Sequence, residues 1–314
     1  MTQGEKIMKK LLLGTALACA ATMAHAEYPP GPVQMIVPWP PGEFEDILTR
    51  MIAADMAEAT GQPVSVVNRP GGGDGPFPGA LEVLEAPADG SVIGSFVIGV
   101  PVVGPLLDIG ITEDSFVPVG IFLTYPFVLA ASGDAPYSNM AELAEYAQDN
   151  DVVLGHFGAG LTPTQVSFVA AQQMGFEFAD ESAFDLLDCN TLSSGDADVI
   201  NTTLALIEPC LDEINVLGNI GEAPIAKLDG VETLAAQAGI APLELWNGLF
   251  VKEGTPQEVI DTIAAVAAET MASEDAQTLM AETGASVYWQ GMAESMARIA
   301  ADRATSAEFS AMLE

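Results

Sequence analysis

Two glycine-containing loops in this sequence have the residue types that bind a ligand through backbone N–H groups. Residues 38–46 read PWPPGEFED and residues 155–165 read GHFGAGLTPTQ, and each follows a short apolar run and precedes a helical pattern. A helix start binds anions because its first N–H groups have no partner in the helix and its dipole is positive there. Two tight turns without any ligand give the same pattern, so spacing alone leaves binding open.

The first loop carries three acids, Glu43, Glu45 and Asp46. Acidic side chains in a first turn interact favourably with the helix dipole, by ~0.3–1 kcal/mol each, and need no further role. We adopt that explanation for Glu45, which we expect to face solvent. An anion-binding loop lined with carboxylates raises the question of what kind of solute it accepts.

Aromatic residues and one histidine lie in the same loops. Core packing explains Trp39, Phe44 or Phe157 taken singly, but three rings beside two loops also suit an apolar or cation–π wall. His156 is the only histidine after residue 26. It is either a hydrogen-bonded structural residue or a ligand contact, and the sequence does not separate these two roles.

Signatures of catalysis and of cofactor binding are not found in the sequence. It contains no G-x-S-x-G, H-E-x-x-H, P-loop or C-x-x-C pattern. The run RPGGGDGPFPG lacks the spacing of a dinucleotide fingerprint and the acid about 20 residues later. We therefore expect a binding protein, not an enzyme, with no cofactor and no metal.

The first 26 residues have the features of a signal peptide. Lys6, Lys9 and Lys10 precede a short apolar run, and AHA at residues 24–26 fits a cleavage site, which places cleavage after Ala26. Cys19 raises the question of a lipid anchor, but Ala16 stands where a lipobox has Leu. We expect a soluble periplasmic protein in which Cys189 and Cys210, the two remaining cysteines, form a disulfide.

The charge excludes one class of partner. The chain has 9 basic and 44 acidic residues and a formal charge of −35. Nucleic acid is bound through Lys and Arg, so it is excluded, and anionic membrane surfaces are disfavoured. Beyond the signal peptide, no stretch reaches the roughly 18 consecutive apolar residues of a membrane span.

Short β-type runs alternate with helical patterns along the rest of the chain, which indicates an α/β fold with mostly parallel sheets and flanking helices. The apolar run 116–132 is too long for one strand, and we divide it near Thr124 to Pro126, where the chain crosses between domains. We predict one lobe from 27–124 with 221–314, a second lobe from 125–220, and a ligand cleft between them.

The order of motifs resembles the Bug-type solute-binding proteins of tripartite tricarboxylate transporters. The similar segments are YPPGPVQMIVPWPPG, GQPVSVVNRPGGG, PADGSVIG, LGHFGAG, LWNGLFVKEGTPQEVI and ETGASV. The resemblance implies a two-lobe Venus-flytrap fold, type II-like, that closes on a small organic solute and delivers it to membrane subunits of such a transporter. We expect a monomer. A ligand-binding component of a signalling system would use the same fold and stays open as an alternative.

The resemblance implies that backbone N–H groups, hydroxyls and water at the two helix starts hold a ligand carboxylate. Arg50 and Arg69 match positions that are basic in the family, and we expect both to form structural ion pairs and not to clamp the ligand. This chain departs from the pattern at Glu43, where the family has a second glycine that lines the cleft. Two unit charges 4 Å apart repel by about 4 kcal/mol at an effective dielectric constant near 20. Glu43 therefore argues against a plain di- or tricarboxylate and for an amine-bearing or neutral solute. The predicted ligand-binding residues are Trp39, Pro41, Gly42, Glu43, Phe44, Asp46, His156, Phe157, Gly158, Ala159, Gly160, Thr162, Thr164 and Asn201.

Overall fold

Two β-sheets with flanking helices form the protein. The structure is a computed structural model that describes residues 28–72 and 75–313, so the predicted signal peptide lies outside the described residues. The strands are β1 (Val33–Val37), β2 (Val64–Asn68), β3 (Val92–Val97), β4 (Phe116–Thr124), β5 (Phe127–Ser132), β6 (Val153–His156), β7 (Asp180–Ala183), β8 (Val199–Thr203), β9 (Ile214–Asn219), β10 (Trp246–Lys252) and β11 (Ser286–Gly291).

Helices connect most of these strands. They are α1 (Phe44–Thr60), α2 (Phe77–Glu85), α3 (Gly99–Val102), α4 (Met140–Tyr146), α5 (Thr162–Gln173), α6 (Cys189–Ser194), α7 (Leu204–Ile207), α8 (Leu234–Ala238), α9 (Gln257–Met271), α10 (Glu274–Thr283) and α11 (Met292–Leu313). Two short 3₁₀ segments occur at Gly104–Leu106 and Glu208–Glu213. Within the described part of the chain, no helix combines the length and the apolar composition that crossing a bilayer requires.

Both sheets are mixed, which corrects the expectation of mostly parallel sheets. The first sheet has the order β11-β4-β10-β3-β1-β2, and only the β1–β2 and β1–β3 pairs in it are parallel. The second has the order β7-β6-β8-β5-β9, with β6 parallel to β7 and β8. Helical crossovers produce the parallel pairs, whereas the strands beside each passage between sheets, β4, β5 and β10, pair antiparallel.

The predicted break in the apolar run 116–132 is confirmed. β4 ends at Thr124 in the first sheet and β5 begins at Phe127 in the second, so only Tyr125 and Pro126 lie between the sheets. The chain returns between β9 and β10. The C-terminal helix α11 packs on β4 and also on α5, so it contacts elements attached to both sheets. This arrangement confirms the two-lobe fold.

Some local predictions differ from the structure. The sequence pattern predicts no strand at β7 or β11, and it predicts helices around residues 182–193 and at Cys210. In the structure, α6 begins only at Cys189. Cys210 lies in a 3₁₀ segment and not in a regular helix. The predicted disulfide between Cys189 and Cys210 is present, with their Cα atoms 6.0 Å apart, and it links α6 to the segment that follows α7.

Candidate ligand-binding site

A cavity of about 310 Å³ lies between the two lobes. This volume is at the lower end of the range for small-molecule sites. Both loops singled out in the sequence border it, together with the crossing segment at residues 125–127. The first lobe contributes Trp39, Pro40, Gly42, Glu43, Phe44, Glu45, Ile47, Val97, Ile98, Gly99, Leu245, Trp246, Thr283 and Ala285, and the crossing segment and second lobe contribute Tyr125, Pro126, Phe127, Phe157, Leu161, Thr162, Pro163, Asp185, Thr203, Ala205 and Leu206.

The start of α1 is held by a buried carboxylate. Asp46 Oδ2 accepts hydrogen bonds from the Gly42 N–H and from Arg50 Nε, both at 2.9 Å, and Asp46 Oδ1 accepts from Arg50 Nη2 at 2.9 Å and from Asn68 Nδ2 at 2.8 Å. Burial opposes ionisation of Asp46, but these hydrogen bonds outweigh it and lower its pKa. Asp46 therefore shapes the loop from behind and does not line the cavity. Its carboxylate accepts the Gly42 N–H, which lies just before the N-cap residue Glu43.

Glu45 does not face solvent, which corrects the expectation from sequence. It is 4% exposed, and it is one of the residues that line the cavity. The buried face of α1 consists of Glu45, Leu48, Thr49, Ile52, Ala53 and Met56, with Asp46 beside it, whereas Phe44, Ile47 and Met51 are only half-buried. The helix is therefore rotated so that position 45 lies one turn above Leu48 and Thr49, on the face that packs against the first sheet.

A closed set of buried hydrogen bonds surrounds Glu45. The Tyr125 hydroxyl donates to Glu45 Oε2 at 3.1 Å and lies 3.4 Å from Asn247 Oδ1, and Asn247 Nδ2 donates to Ser95 Oγ at 2.8 Å. Ser95 Oγ is 2.8 Å from Thr49 Oγ1, which donates to the Glu45 carbonyl at 2.6 Å. Burial, and then the nearby Glu43 carboxylate, raise the pKa of Glu45 to about 8. At neutral pH Glu45 is thus mainly uncharged.

The start of α5 is held by neutral groups. Thr164 Oγ1 donates to the Gly158 carbonyl at 2.9 Å and accepts from Asn201 Nδ2 at 3.3 Å, and both side chains are fully buried. The N-cap residue Leu161 has no side chain that could cap the helix. Thr162, the first helical residue, is 1% exposed, lines the cavity, and its hydroxyl has no hydrogen-bond partner among the described residues. The end of α5 at the cavity therefore has an unused polar atom.

Four aromatic rings form a continuous series along the cavity. Trp39 and Phe157 meet edge to face with their ring centroids 6.2 Å apart, Phe157 meets Phe127 at 6.2 Å, and Phe127 meets Tyr125 at 6.1 Å. Trp39 belongs to the first lobe, Phe127 and Phe157 to the second, and Tyr125 to the crossing. The series therefore gives the cavity an apolar wall that spans both lobes.

The cavity contains carboxyl groups but no basic side chain. Glu43, Glu45 and Asp185 line it, and among its described lining residues none is Lys, Arg or His. Burial, with a smaller contribution from Asp46, raises the pKa of the half-buried Glu43. The two arginines near the first loop are in ion pairs, Arg50 with Asp46 at 2.9 Å and Arg69 with Glu82 at 2.6 Å, as expected from the resemblance.

The predicted site residues divide into three groups. Six of them line the cavity directly: Trp39, Gly42, Glu43, Phe44, Phe157 and Thr162. Asp46, Thr164 and Asn201 are buried behind it and position the two loops, while Pro41 is exposed in the turn before α1. Gly158, Ala159 and Gly160 line a second, apolar cavity of about 430 Å³ on the other side of Leu161, against Phe77, Pro78 and Leu81 of α2.

His156 also lies outside the cavity lining. It is 2% exposed at the end of β6, and its Nε2 is 3.1 Å from Glu181 Oε2 on the neighbouring strand β7. Burial lowers the pKa of His156, although the Glu181 carboxylate opposes that effect. Of the two roles considered for His156, the structure agrees with that of a buried, hydrogen-bonded structural residue. Within residues 28–72 and 75–313, no group of three or more His, Cys, Asp or Glu side chains is arranged to hold a metal ion.

Several cavity residues were not predicted from the sequence. Tyr125 and Phe127 flank the chain crossing, and the expectation of a crossing at Thr124 to Pro126 was the signal that could have identified them. Asp185 follows β7, a strand without a clear sequence pattern, and no motif marks it. Trp246 begins β10 and was assigned only to a strand.

Comparisons with known proteins agree with this architecture. The model of the tripartite tricarboxylate transporter family receptor matches residues 48–309. The UPF0065 protein in the tcbD-tcbE intergenic region of Pseudomonas sp. (strain P51) is 28% identical over 297 residues, which cover 88% of this chain and 85% of that one.

Two solved structures of Rhodopseudomonas palustris proteins have the same fold. One is Rpa4515 with adipate, with a TM-score of 0.78, 23% identity and coverage of 91% of this chain and 98% of that one. The other is MatC (Rpa3494) with bound malate, with a TM-score of 0.76, 21% identity and coverage of 91% and 100%. Because the family model covers most of the sequence, this chain belongs to the tripartite tricarboxylate transporter receptor family, whose members are solute-binding receptors.

Proposed function

We propose that this protein captures a small organic solute in the cavity between its lobes and delivers it to the membrane subunits of a tripartite transporter. The observation that carries the proposal is the position of the cavity, which is lined by both glycine-containing loops and by the crossing segment at residues 125–127. A ligand that touches both lobes stabilises the closed form, because closure adds contacts that the open form lacks. The malate and adipate in two structural relatives support a solute of similar size.

The proposal also covers the lobe boundaries, the oligomeric state and the export of the protein. We place the lobe boundaries at 27–124 with 221–314 and at 125–220, and we expect a monomer exported by residues 1–26 with cleavage after Ala26. Mass spectrometry of protein isolated from the periplasm tests the cleavage site. A mature chain that begins at Glu27 is expected, and a chain that retains residues 1–26 contradicts export by this route.

A variant with a large side chain inside the cavity tests the binding site. We expect at least one solute from a panel of carboxylates, amino acids, amines and neutral aromatics to raise Tm and to reduce the radius of gyration in solution scattering. Ala205→Trp places an indole at the cavity from an exposed position on α7, and it should abolish both effects. Ala265→Trp, an exposed position on α9 outside the cavity, is the matched control. Solute binding that persists in Ala205→Trp contradicts the proposed site.

Delivery is tested by uptake. Vesicles that contain the membrane subunits of a tripartite transporter should accumulate the solute only when the receptor is added, and Ala205→Trp should not support uptake. Binding without receptor-dependent uptake would instead indicate a sensing role, which is the alternative left open by the sequence.

A further inference from the structure

The two helix starts at the cavity differ in charge. At α1 the N-cap residue is Glu43, Glu45 and Asp46 follow in the first turn, and Asp46 already accepts the Gly42 N–H. The first turn of α5 contains no acidic residue. The start of α5 is therefore the less acidic of the two. Pro163 has no N–H, and the Thr164 and Gln165 N–H groups donate to the Leu161 carbonyl, so the N–H of Thr162 is the one in the first turn that faces no such partner among the described residues.

Thr162 adds an independent observation at the α5 start. Its side chain is 1% exposed, it lines the cavity, and its hydroxyl has no partner in the described structure. A buried hydroxyl without a partner is unfavourable, so a ligand oxygen in the cavity would supply what is missing. Because Thr162 is the first residue of the helix, the helix dipole favours a negative group there.

Carboxyl groups from both lobes line the same cavity. Glu43 belongs to the first lobe, and Asp185 follows β7 in the second. Asp185 reaches towards the first lobe, since its Oδ1 is 3.7 Å from the position that a Cβ would occupy on Gly72. With no basic side chain in the described lining, these two carboxylates favour a cationic group of a ligand.

The aromatic series occupies the remaining wall. Trp39, Phe157, Phe127 and Tyr125 line the cavity and follow one another with centroid separations of 6.1–6.2 Å. Rings arranged in this way bury an apolar group, and their faces attract an ammonium group. The cavity thus combines a helix start without acidic side chains, one carboxyl group from each lobe and an apolar wall.

We propose that this cavity selects an aminocarboxylate with an apolar body. The start of α5, with Thr162, binds its carboxylate, Glu43 and Asp185 bind its ammonium group, and the aromatic series binds its apolar body. The inference rests on the proposed function, because it names the solute class for the same cavity. A dicarboxylate fits less well, since its second carboxylate would lie near Glu43 or Asp185 with no cation to offset the repulsion.

Calorimetry with four probes tests the proposal on the wild-type protein. The probes are L-phenylalanine, 3-phenylpropionate, which lacks the ammonium group, phenethylamine, which lacks the carboxylate, and succinate. We expect L-phenylalanine to bind at least about tenfold more tightly than each of the others, since loss of one charged contact costs about that factor.

Two variants test which residue binds the ammonium group of the ligand and which binds its carboxylate. Glu43→Gln should weaken L-phenylalanine and phenethylamine by about tenfold and should leave 3-phenylpropionate unchanged or tighter. Thr162→Val should weaken L-phenylalanine and 3-phenylpropionate and leave phenethylamine unchanged. Glu58→Gln, on the exposed side of α1, is the control, and thermal melts verify that each variant is folded.

The outcomes separate the inference from the function on which it rests. Succinate binding tighter than L-phenylalanine, or Glu43→Gln weakening 3-phenylpropionate as much as phenethylamine, overturns the aminocarboxylate. If none of the four probes binds but another solute compacts the protein and is lost in Ala205→Trp, the inference fails and the receptor function stands. If solute binding is unaffected by Ala205→Trp, the proposed function fails as well.

Discussion

The starts of α1 and α5 have the same local construction but differ in charge, since one is acidic and the other is neutral. Each follows a strand and a glycine-containing turn, each borders the cavity, and neither N-cap residue caps its helix through its side chain. The α1 start is organised by the charges of Asp46 and Arg50, whereas the α5 start is organised by the neutral side chains of Thr164 and Asn201.

This difference shows that a helix start does not by itself determine the charge of its ligand. The dipole and free N–H groups favour an anion at both places. At α1, however, the protein's own carboxylate takes the Gly42 N–H, and Glu43 adds a second negative group at the cavity. The side chains of the first turn therefore decide whether the site is available.

The largest expected effect is a pH-dependent one at Glu45. Its pKa is raised from 4.5 to about 8, so between these values the folded protein binds a proton that the unfolded chain has lost. The free energy of unfolding should therefore fall as pH rises through this window, by on the order of 4 kcal/mol for this group at 1.36 kcal/mol per pKa unit. In Glu45→Gln, this contribution to the decrease in the free energy of unfolding should be absent.

Urea unfolding of wild type and Glu45→Gln at about pH 5 and about pH 8 measures the effect. Glu58→Gln, an exposed position on the same helix, controls for the loss of one acid. If wild type and Glu45→Gln lose the same stability between the two pH values, Glu45 is not neutral in the folded protein.

Asp46→Ala should lower the free energy of unfolding by about 2–3 kcal/mol at neutral pH. The substitution removes the acceptor for Gly42, Arg50 and Asn68, while the half-exposed Arg50 side chain, at 46%, regains water and limits the loss. Because the pKa of Asp46 is lowered, the stability that it contributes is present above the unfolded pKa and is lost as pH falls through the folded value. The difference in free energy of unfolding between Asp46→Ala and wild type, measured with urea, should therefore be smaller at acid pH. A cost that is equal at neutral and acid pH would show that the charge is not responsible.

The matching change at the α5 start is Thr164→Val, with an expected cost of about 1–2 kcal/mol. The variant keeps the shape of the side chain but removes the hydroxyl that donates to the Gly158 carbonyl and accepts from Asn201 Nδ2. The Gly158 carbonyl keeps the Leu161 N–H and Asn201 Nδ2 keeps Ser167 Oγ at 3.5 Å, which limits the loss. Since no charge is involved, the cost should be the same at about pH 5 and about pH 8. Thr278→Val, at an exposed helical position, is the control. A cost that varies with pH as that of Asp46→Ala does would remove the distinction between the two helix starts.

The smallest expected effect concerns anion binding at α1. Glu43→Gly should strengthen succinate binding by about 1 kcal/mol, because it removes a like charge while Asp46 continues to occupy the Gly42 N–H. The backbone of Glu43, with φ −64° and ψ 158°, is ordinary for any residue. Calorimetry of wild type, Glu43→Gly and Glu43→Gln separates the charge from the backbone. Tight succinate binding by wild type that neither variant changes would show that Glu43 does not oppose anions.

The elements that could be predicted from the sequence are those with a local signal. The alternation of strands and helices follows from apolar periodicity, the break at Thr124 to Pro126 follows from strand length, and the disulfide follows from there being only two cysteines after the predicted signal peptide. The two loops at the cavity were also identified, because the pattern strand, glycine turn and helix start is contiguous in the chain.

Features that depend on distant partners could be decided only by the tertiary structure. Glu45 is buried because Tyr125, 80 residues later, crosses between the lobes beside it, and no pattern within α1 encodes that contact. Asp185 reaches the cavity only through the pairing of β7 with β6, and the mixed sheets arise where the chain passes from one lobe to the other. Periodicity determines which residues share a helix or strand, whereas burial and charge at a cavity depend on which surfaces meet, and those contacts form only when the two lobes are assembled.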